Sequence, residues 1–419
     1  MSSFHNFITA AIEKGHLLLQ PRMVFSSPEQ MRTGLLAVKH CGFSTVGTIT
    51  IDSFTRQLKF STAKEAVEMK KELNGYPIVS FEKNENASLI DGIFDSDFSI
   101  QVRHGCAKPI EIFKSILEMG LDATEGGPIS YCMPYGREPL KASVKAWAES
   151  CQLFGENSTS TRPLHIESFG GCLLGQLCPP SMLVAITVLE CMFMQANGVS
   201  SVSLSYAQGS NLEQDLGALA ALQLLAEEFL QPTTWHIVMY TFMGMFPATE
   251  SGAKSIIEDS TWIAKRAGIP RLIVKTASEA HGIPSIQDNV MAIEWASNAE
   301  NKKCFVEESK IHWNSEIIFQ QARSIVSAVL NTSSDIGSAI ELSFKKGYLD
   351  IPYCLHNDNK KLASSWVDHA GSIQWAEVGK IPFPDYLKNT IYKKKKLLSS
   401  SDLLNMLSFN KFKYDFNMV

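Results

Sequence analysis

The segment Leu121–Gly136, LDATEGGPISYCMPYG, places the carboxylate of Glu125 and two phenols on a short turn. Glu125 stands directly before a Gly-Gly-Pro turn, and Tyr131 and Tyr135 follow at a mutual spacing of four. A carboxylate that faces a substrate amine can hold or deprotonate an ammonium group. Phenols donate to a carboxylate and give it an apolar wall. The segment predicts one wall of an amino-acid pocket; pairing of Glu125 with an arginine and loop packing of the tyrosines are the alternatives.

Three arginines lie at or just past the ends of predicted strands: Arg22 in LQPR, Arg56 in DSFTR and Arg103 in QVRHG. The arginine fork binds carboxylates in a planar, bidentate way that lysine does not match. Three of them on one face favour a small dianionic or dicarboxylate ligand. For any single arginine, an ion pair with a local acid would be the simpler interpretation.

Lys275 ends the apolar run LIVKT, and Glu279 follows four residues later. A lysine at the end of a barrel strand can be a Schiff-base nucleophile, and it can equally bind ribose or phosphate oxygens. The simplest alternative is an ion pair worth a few tenths of a kcal/mol. The chain has no GxGxxG or Walker A loop, and therefore no nucleotide fingerprint.

The composition is that of an ordinary globular protein, with 419 residues, 45% hydrophobic, and a net charge of −5. This mild acidity argues against nucleic-acid binding. No apolar run reaches the roughly 20 residues of a membrane span; the segment 182–196 comes closest, but it contains Glu190 and predicts a buried helix. The nine cysteines form no CxxC pair, no signal peptide is recognisable, and no zinc spacing occurs, so we expect a cytoplasmic protein without a metal site.

Short apolar or β-branched runs alternate with segments of helical periodicity, a pattern typical of βα units around a parallel sheet. Nine strands are predicted, eight for a (β/α)₈ TIM barrel and one outside the ring: 16–22, 43–52, 76–81, 98–105, 121–127, 164–171, 201–206, 235–241 and 271–277. Helices are predicted at 109–120, 211–230 and 311–330. We expect a barrel domain over 1–300 and a C-terminal extension of helices and loops over 301–419, with a solvated charge run at 392–400.

Most of these strands end in a polar or reactive residue. In a barrel the C-terminal strand ends gather on the face that holds the active site, whereas a doubly wound sheet collects function at one switch point. The pattern therefore favours the barrel. The strand-end residues are Arg22, Thr50, Arg103, Glu125, Glu167, Tyr206, Tyr240 and Lys275.

Eleven motifs in one order make the chain resemble a known family, the large (E, or epsilon) component of glutamate mutase, also called methylaspartate mutase. The resemblance runs from about residue 15 to about residue 384. The motifs are QPR, TIDSFTR, LNGYP, QVRHG, EGGPISYCMPY, SFGG, PPSM, NLEQD, MGMFP, IVKTASEAHGIP and DIPY.

The resemblance implies a barrel that works with a separate, small cobalamin-binding (sigma, or S) subunit carrying a DxHxxG motif. This chain lacks that motif, since DHAGS at 368–372 has the wrong spacing. Adenosylcobalamin would lie at the subunit interface, where homolysis of its cobalt–carbon bond starts a radical rearrangement. L-glutamate and threo-3-methyl-L-aspartate would interconvert. The family also implies a homodimer of this chain within a heterotetramer.

The same resemblance implies roles for individual residues. Arg22, Arg56 and Arg103 would clamp the two substrate carboxylates. Glu125 would contact the amine as the catalytic residue, with Tyr131 and Tyr135 helping to hold the carboxylates. The implied cofactor contacts are Lys275, Glu279 and Asn74 for the ribose, and Thr50, Pro134 and Phe169 for the corrin.

Some positions depart from the family pattern, and most of these are expected near the cofactor. Val24 and Pro128 replace glycines, and the pair Tyr240–Thr241 replaces a histidine-glutamine pair. Two other functions therefore stay open beside the mutase. One is a lyase or aldolase that uses Lys275 as a Schiff base. The other is a relative of the mutase that is non-catalytic or acts on another amino dicarboxylate.

Overall fold

The computed structural model describes residues 3–134, 136–175, 177–230, 235–299, 302–391 and 399–416. Eight short strands form one sheet: β1 (Leu18–Pro21), β2 (Gly47–Thr50), β3 (Ile100–Arg103), β4 (Ala123–Gly126), β5 (His165–Ser168), β6 (Ser201–Ala207), β7 (Trp235–Tyr240) and β8 (Arg271–Val274). Strands β2 to β7 each pair in parallel with the next strand along the chain, and β8 also pairs in parallel with β1. A parallel bridge between Leu19 and Thr45 joins β1 to the start of β2 and closes the ring. The predicted (β/α)₈ barrel is confirmed.

One or more helices follow each barrel strand and form the outer layer, as the alternating pattern predicts. The N-terminal and barrel helices are α1 (Phe4–Glu13), α2 (Pro28–Lys39), α3 (Ser53–Arg56), α4 (Phe60–Glu68), α5 (Lys83–Ile90), α6 (Ile110–Glu118), α7 (Leu140–Asn157), α8 (Pro180–Ala196), α9 (Leu212–Phe229), α10 (Glu250–Arg266) and α11 (Ile286–Asn298). Short 3-10 helices follow β5 and β8, at Gly170–Cys172 and Ala277–Ala280. Among the described residues no helix is both long and apolar enough to cross a membrane.

The remaining elements are α12 (Glu308–Leu330), α13 (Ile336–Lys346), β9 (Ala363–Val367), β10 (Ile373–Val378), α14 (Asp385–Lys388) and α15 (Ser400–Asp415). Helix α12 packs on α8 and α9, and α15 packs on α10. Strands β9 and β10 form an antiparallel hairpin. The division at residue 300 stays a prediction, and residues 392–398 of the charged run lie outside the described part of the chain.

The predicted strand at 76–81 is wrong. Only Tyr76 pairs, through an isolated parallel bridge to Ile51 beside the ring. Pro77 follows directly and has no N–H with which to continue a ladder. The Tyr76 hydroxyl instead donates to Asn86 at 2.7 Å, so the segment is a loop anchored on α5.

Polar side chains fill the middle of the barrel, where branched apolar residues are usual. Arg271 of β8 is fully buried and is ion-paired with Glu167 of β5. Its guanidinium also donates to Gln20 at 2.7 Å and to Ser203 at 3.1 Å. Below this layer Phe4 of α1 packs its ring 5.3 Å from the Arg271 guanidinium. The buried charges of Arg271 and Glu167 are therefore both paired, since burying an unpaired ion would cost a large free energy.

Gly171, in the turn after β5, offers a test of this packing. A Cβ atom there would lie 1.7 Å from the carbonyl oxygen of Ser205, so the backbone of β6 would have to move. We expect Gly171→Ala to lower the free energy of unfolding by at least about 3 kcal/mol, measured by urea denaturation. Gly282→Ala is the matched control, since a Cβ there meets nothing within 4 Å. Equal stability of the two variants would contradict this packing.

Candidate active site

A cavity of about 840 Å³ opens at the C-terminal ends of the barrel strands. It brings together eight of the residues that the sequence singled out: Arg22, Thr50, Arg56, Arg103, Glu125, Tyr131, Phe169 and Lys275. Their elements, from β1 through β8, are far apart in the chain and converge only because the ring closes.

Arg103 and Glu125 form a buried ion pair at the bottom of this cavity. Nε of Arg103, the last residue of β3, lies 2.8 Å from Oε2 of Glu125 in β4, and the two side chains are 8% and 2% exposed. Burial is the largest effect and opposes the charge on Arg103, but the neighbouring groups, Glu125 foremost, together outweigh it and raise the guanidinium pKa. The alternative stated from the sequence, that Glu125 pairs with an arginine, is therefore confirmed. The pair lies inside the cavity.

Two phenols complete the surroundings of the Glu125 carboxylate. The Tyr131 hydroxyl donates to Oε1, and the Tyr240 hydroxyl donates to Oε2 at 2.8 Å. Burial raises the pKa of both phenols well above the usual value, so both remain protonated donors. With Arg103, these two tyrosines hold the Glu125 carboxylate in one orientation.

Arg22, Lys275 and Glu279 form a second charged group at the rim. Glu279 Oε2 lies 3.4 Å from both Arg22 Nη1 and Lys275 Nζ. Burial lowers the pKa of Lys275, and the Glu279 carboxylate partly offsets that effect. The Arg22 side chain is 40% exposed, so it can turn toward a ligand.

Arg56 and Thr50 line the cavity with unused hydrogen-bonding groups. Arg56 ends α3, is exposed, and has no ion-pair partner among the described residues. Thr50 ends β2, and within the described chain its buried Oγ1 finds no hydrogen-bond partner. Both groups are available to a ligand in the cavity.

Three predicted residues do not join this group. The exposed Asn74 accepts a hydrogen bond from the Ser53 amide at 3.0 Å and lies outside the cavity lining. Pro134 is half-buried and also lies outside the lining. Tyr135 lies outside the described residues. Their roles stay predictions.

Two of the polar strand-end residues do not face the mouth. Glu167 is fully buried below it, paired with Arg271. Tyr206 faces the helix layer, where its hydroxyl donates to Asp215 of α9 at 2.9 Å. Because successive side chains of a strand point to opposite faces, a strand-end position alone does not say which way the side chain points.

From the sequence, most residues that depart from the family pattern are expected near the cofactor, but the structure does not place all of them at the cavity mouth. Val24 is buried beside the mouth. Thr241 turns to the helix layer, with its Oγ1 3.2 Å from Ser260 Oγ. Tyr240 contacts Glu125 and so borders the bottom of the cavity. The replacement at Tyr240 therefore affects the surroundings of the Glu125 carboxylate and not the rim of the cavity.

Glu190 of α8 holds the turn that carries Tyr131, and sequence reasoning missed it. Its fully buried carboxylate accepts from the amides of Ile129 and Ser130 at 3.0 and 2.7 Å, and from the Ser168 hydroxyl at 2.7 Å. A Cβ on Gly127 would lie 2.1 Å from the same carboxylate. The available signal was one acid inside the apolar segment 182–196.

In the described part of the chain, no group of three or more His, Cys, Asp or Glu residues could hold a metal ion. What the cavity offers is a set of guanidinium groups, one anchored carboxylate and two phenols. Guanidinium groups can bind carboxylates, and a carboxylate can bind a cation.

Glu190 gives a pH-dependent prediction. Burial raises the pKa of its carboxyl from the ordinary 4.5 to about 7. The stability that the neutral carboxyl contributes is complete below pH 4.5 and is lost as the pH rises through 7. Relative to Glu190→Gln, the wild-type free energy of unfolding should fall by about 3 kcal/mol between pH 5 and pH 8.

Urea denaturation at the two pH values measures this difference. Glu149→Gln, which alters an exposed carboxylate of α7, is the control and should keep the wild-type pH dependence. A difference between wild type and Glu190→Gln that is the same at both pH values would show that Glu190 does not titrate in this range.

Comparison with known proteins identifies the family of the chain. The family described as "Methylaspartate mutase E chain (MutE)" matches residues 1–405. The "Glutamate mutase epsilon subunit" of Haloarcula marismortui is 28% identical over 381 residues, covering 88% of this chain and 77% of that protein. The proteins of the same name from Desulfitobacterium hafniense and Escherichia coli O157:H7 are each 29% identical, covering 81% and 80% of this chain and 72% of their own. The chain belongs to the methylaspartate mutase E chain family.

Proposed function

We propose that this chain is the large component of an adenosylcobalamin-dependent carbon-skeleton mutase, an isomerase that interconverts L-glutamate and threo-3-methyl-L-aspartate. Family membership supports the reaction class. The observation that carries the proposal is the Arg103–Glu125 pair, which is buried at the bottom of a cavity that Arg22 and Arg56 also line.

The three arginines are matched to the two carboxylates of such a substrate. Arg103 contacts Glu125 through Nε, and its two Nη groups make no hydrogen bond to any described residue. The two Nη groups are therefore available to a ligand carboxylate. Arg22 and Arg56 lie nearer the opening of the cavity. The Arg22 side chain is 40% exposed, and Arg56 lies at the exposed end of α3. They would close on the second carboxylate when the substrate enters.

Glu125 would receive the substrate ammonium group. Its carboxylate is ion-paired with Arg103 and already accepts from Tyr131 and Tyr240. A carboxylate fixed in this way is suited to hold a cationic group. We therefore propose that Glu125 binds and orients the amine, and that the barrel contributes positioning, charge compensation and exclusion of water.

The residues at the mouth fit adenosylcobalamin as a cofactor. The unpartnered Thr50 hydroxyl and the Lys275–Glu279 pair offer polar groups at the rim, and Phe169 offers an aromatic face. These four residues would hold the cofactor. The cavity volume of about 840 Å³ exceeds what a five-carbon amino acid needs. When bound, this cofactor supplies a carbon-centred radical by homolysis of its cobalt–carbon bond.

The proposal includes a partner and a location. A small cobalamin-binding subunit with a DxHxxG motif would cover the mouth, within a heterotetramer that contains two copies of this chain. A cytoplasmic location is proposed because all nine cysteines are unpaired thiols.

The activity test mixes the purified chain with a cobalamin-binding partner subunit, adenosylcobalamin and L-glutamate without air, and follows 3-methylaspartate by NMR. We expect product from the wild type. Arg103→Lys and Glu125→Gln should each lower the rate by about 100-fold or more, because each misplaces the substrate.

Arg323→Lys is the control for loss of a guanidinium, since Arg323 pairs with Glu228 on the outer helices, 2.7 Å apart. It should keep the wild-type rate. A cobalamin-loaded complex that forms no product would contradict the proposed reaction and favour a non-catalytic relative or another amino-dicarboxylate substrate.

A Schiff-base lyase is the second candidate, because Lys275 is buried in the cavity and its pKa is lowered. Its ion pair with Glu279 opposes that role by holding the amine charged. Under the mutase proposal, borohydride reduction with pyruvate or another 2-oxo acid should leave the mass of the chain unchanged. A trapped adduct on Lys275, absent from Lys275→Arg, would favour the lyase.

A further inference from the structure

Tyr240 lies between two buried carboxylates. Its side chain is fully buried at the end of β7. The hydroxyl lies 2.8 Å from Glu125 Oε2 and also contacts Glu167 Oε1. A phenol has one proton, and it can donate to only one acceptor at a time. Two carboxylates, one at the bottom of the cavity and one in the barrel core, therefore compete for the Tyr240 proton.

Each of the two carboxylates also has its own arginine. Glu125 pairs with Arg103, and Glu167 pairs with Arg271, so the four charges balance. The Arg103 guanidinium lies 5.0 Å from the centre of the Tyr240 ring, a cation–π contact. Tyr240 is the direct link between the ion pair in the cavity and the ion pair in the core.

We propose that Tyr240 is a positioning residue that orients the Glu125 carboxylate for the amino group of the ligand, and that Glu167 and Arg271 hold Tyr240 for this task. This inference rests on the proposed function, since it deepens how the amino dicarboxylate is recognised. Tyr131 fixes one carboxylate oxygen of Glu125, and Tyr240 fixes the other.

The inference predicts a loss in recognition of the amino group alone. The arginine contacts to the ligand carboxylates do not involve the Tyr240 hydroxyl. Tyr240→Phe should therefore weaken binding of L-glutamate while leaving glutarate, the same dicarboxylate without the amine, within about twofold of its wild-type affinity. The ratio of the two affinities should fall about tenfold, as expected for a hydrogen bond to a charged group.

The experiment measures binding of L-glutamate and glutarate by titration calorimetry. The chain is assembled with its cobalamin-binding partner, which is loaded with a cobalamin that lacks the adenosyl group, so that no turnover occurs. Tyr206→Phe is the matched control, because it also removes a buried phenol–carboxylate hydrogen bond, to Asp215, but outside the cavity. It should leave the affinity ratio unchanged.

Glu167→Gln provides a second variant should Tyr240→Phe fail to fold. It keeps a polar partner for the Tyr240 hydroxyl but removes the competing negative charge, so it should raise the same ratio by leaving the Tyr240 proton on Glu125. An unchanged ratio in the folded variant, with a wild type that prefers L-glutamate, would overturn this inference and leave the proposed function standing. A wild-type complex that binds neither compound would overturn both.

Discussion

The burial of the Arg103–Glu125 pair is the constraint on which the cavity depends. Two charges 2.8 Å apart and almost inaccessible to water lose several kcal/mol of hydration each, and their attraction repays this only if further hydrogen bonds are made. Tyr131 and Tyr240 make those bonds on the Glu125 side. Removing either charged side chain would leave the other buried without its ion-pair partner.

The same need to pair buried charges applies in the polar interior of the barrel, below the cavity. Arg271 brings a second buried positive charge into the middle of the ring, and Glu167 balances it. Gln20 and Gln101 surround that pair, with Gln20 Nε2 donating to Gln101 at 2.8 Å. A barrel filled in this way has few alternative side-chain arrangements, since every rotation would break a buried hydrogen bond. The rigid core in turn gives the residues at the mouth a fixed base.

The loops at the mouth are anchored from the helix layer. Glu190 holds the turn after β4 from α8, and Asp215 holds the turn after β6 from α9 through the Gly209 amide at 2.8 Å. Arg56, in contrast, is exposed, and Arg22 is half-buried. The cavity thus combines a rigid bottom, where the amine would bind, with a more open rim that can close over a ligand.

Periodicity, strand-end chemistry and the turn after Glu125 were sufficient to predict the barrel and seven of the residues that line its cavity, because these are local properties of the chain; the eighth, Phe169, came only from the family resemblance. They could not predict what depends on distant pairing. Tyr240 and Glu125 are 115 positions apart, and Glu190 reaches a turn 60 positions earlier. The strand-end pattern also misassigned Tyr206, since its direction follows from the pleat and not from its place at the end of β6.

The most direct test of the account is a crystal structure of the chain bound to its cobalamin-binding partner and L-glutamate. The account predicts the ammonium group within hydrogen-bonding distance of Glu125 and the two carboxylates on Arg103 and on Arg22 with Arg56. A substrate bound elsewhere, or one whose amino group faces away from Glu125, would contradict it.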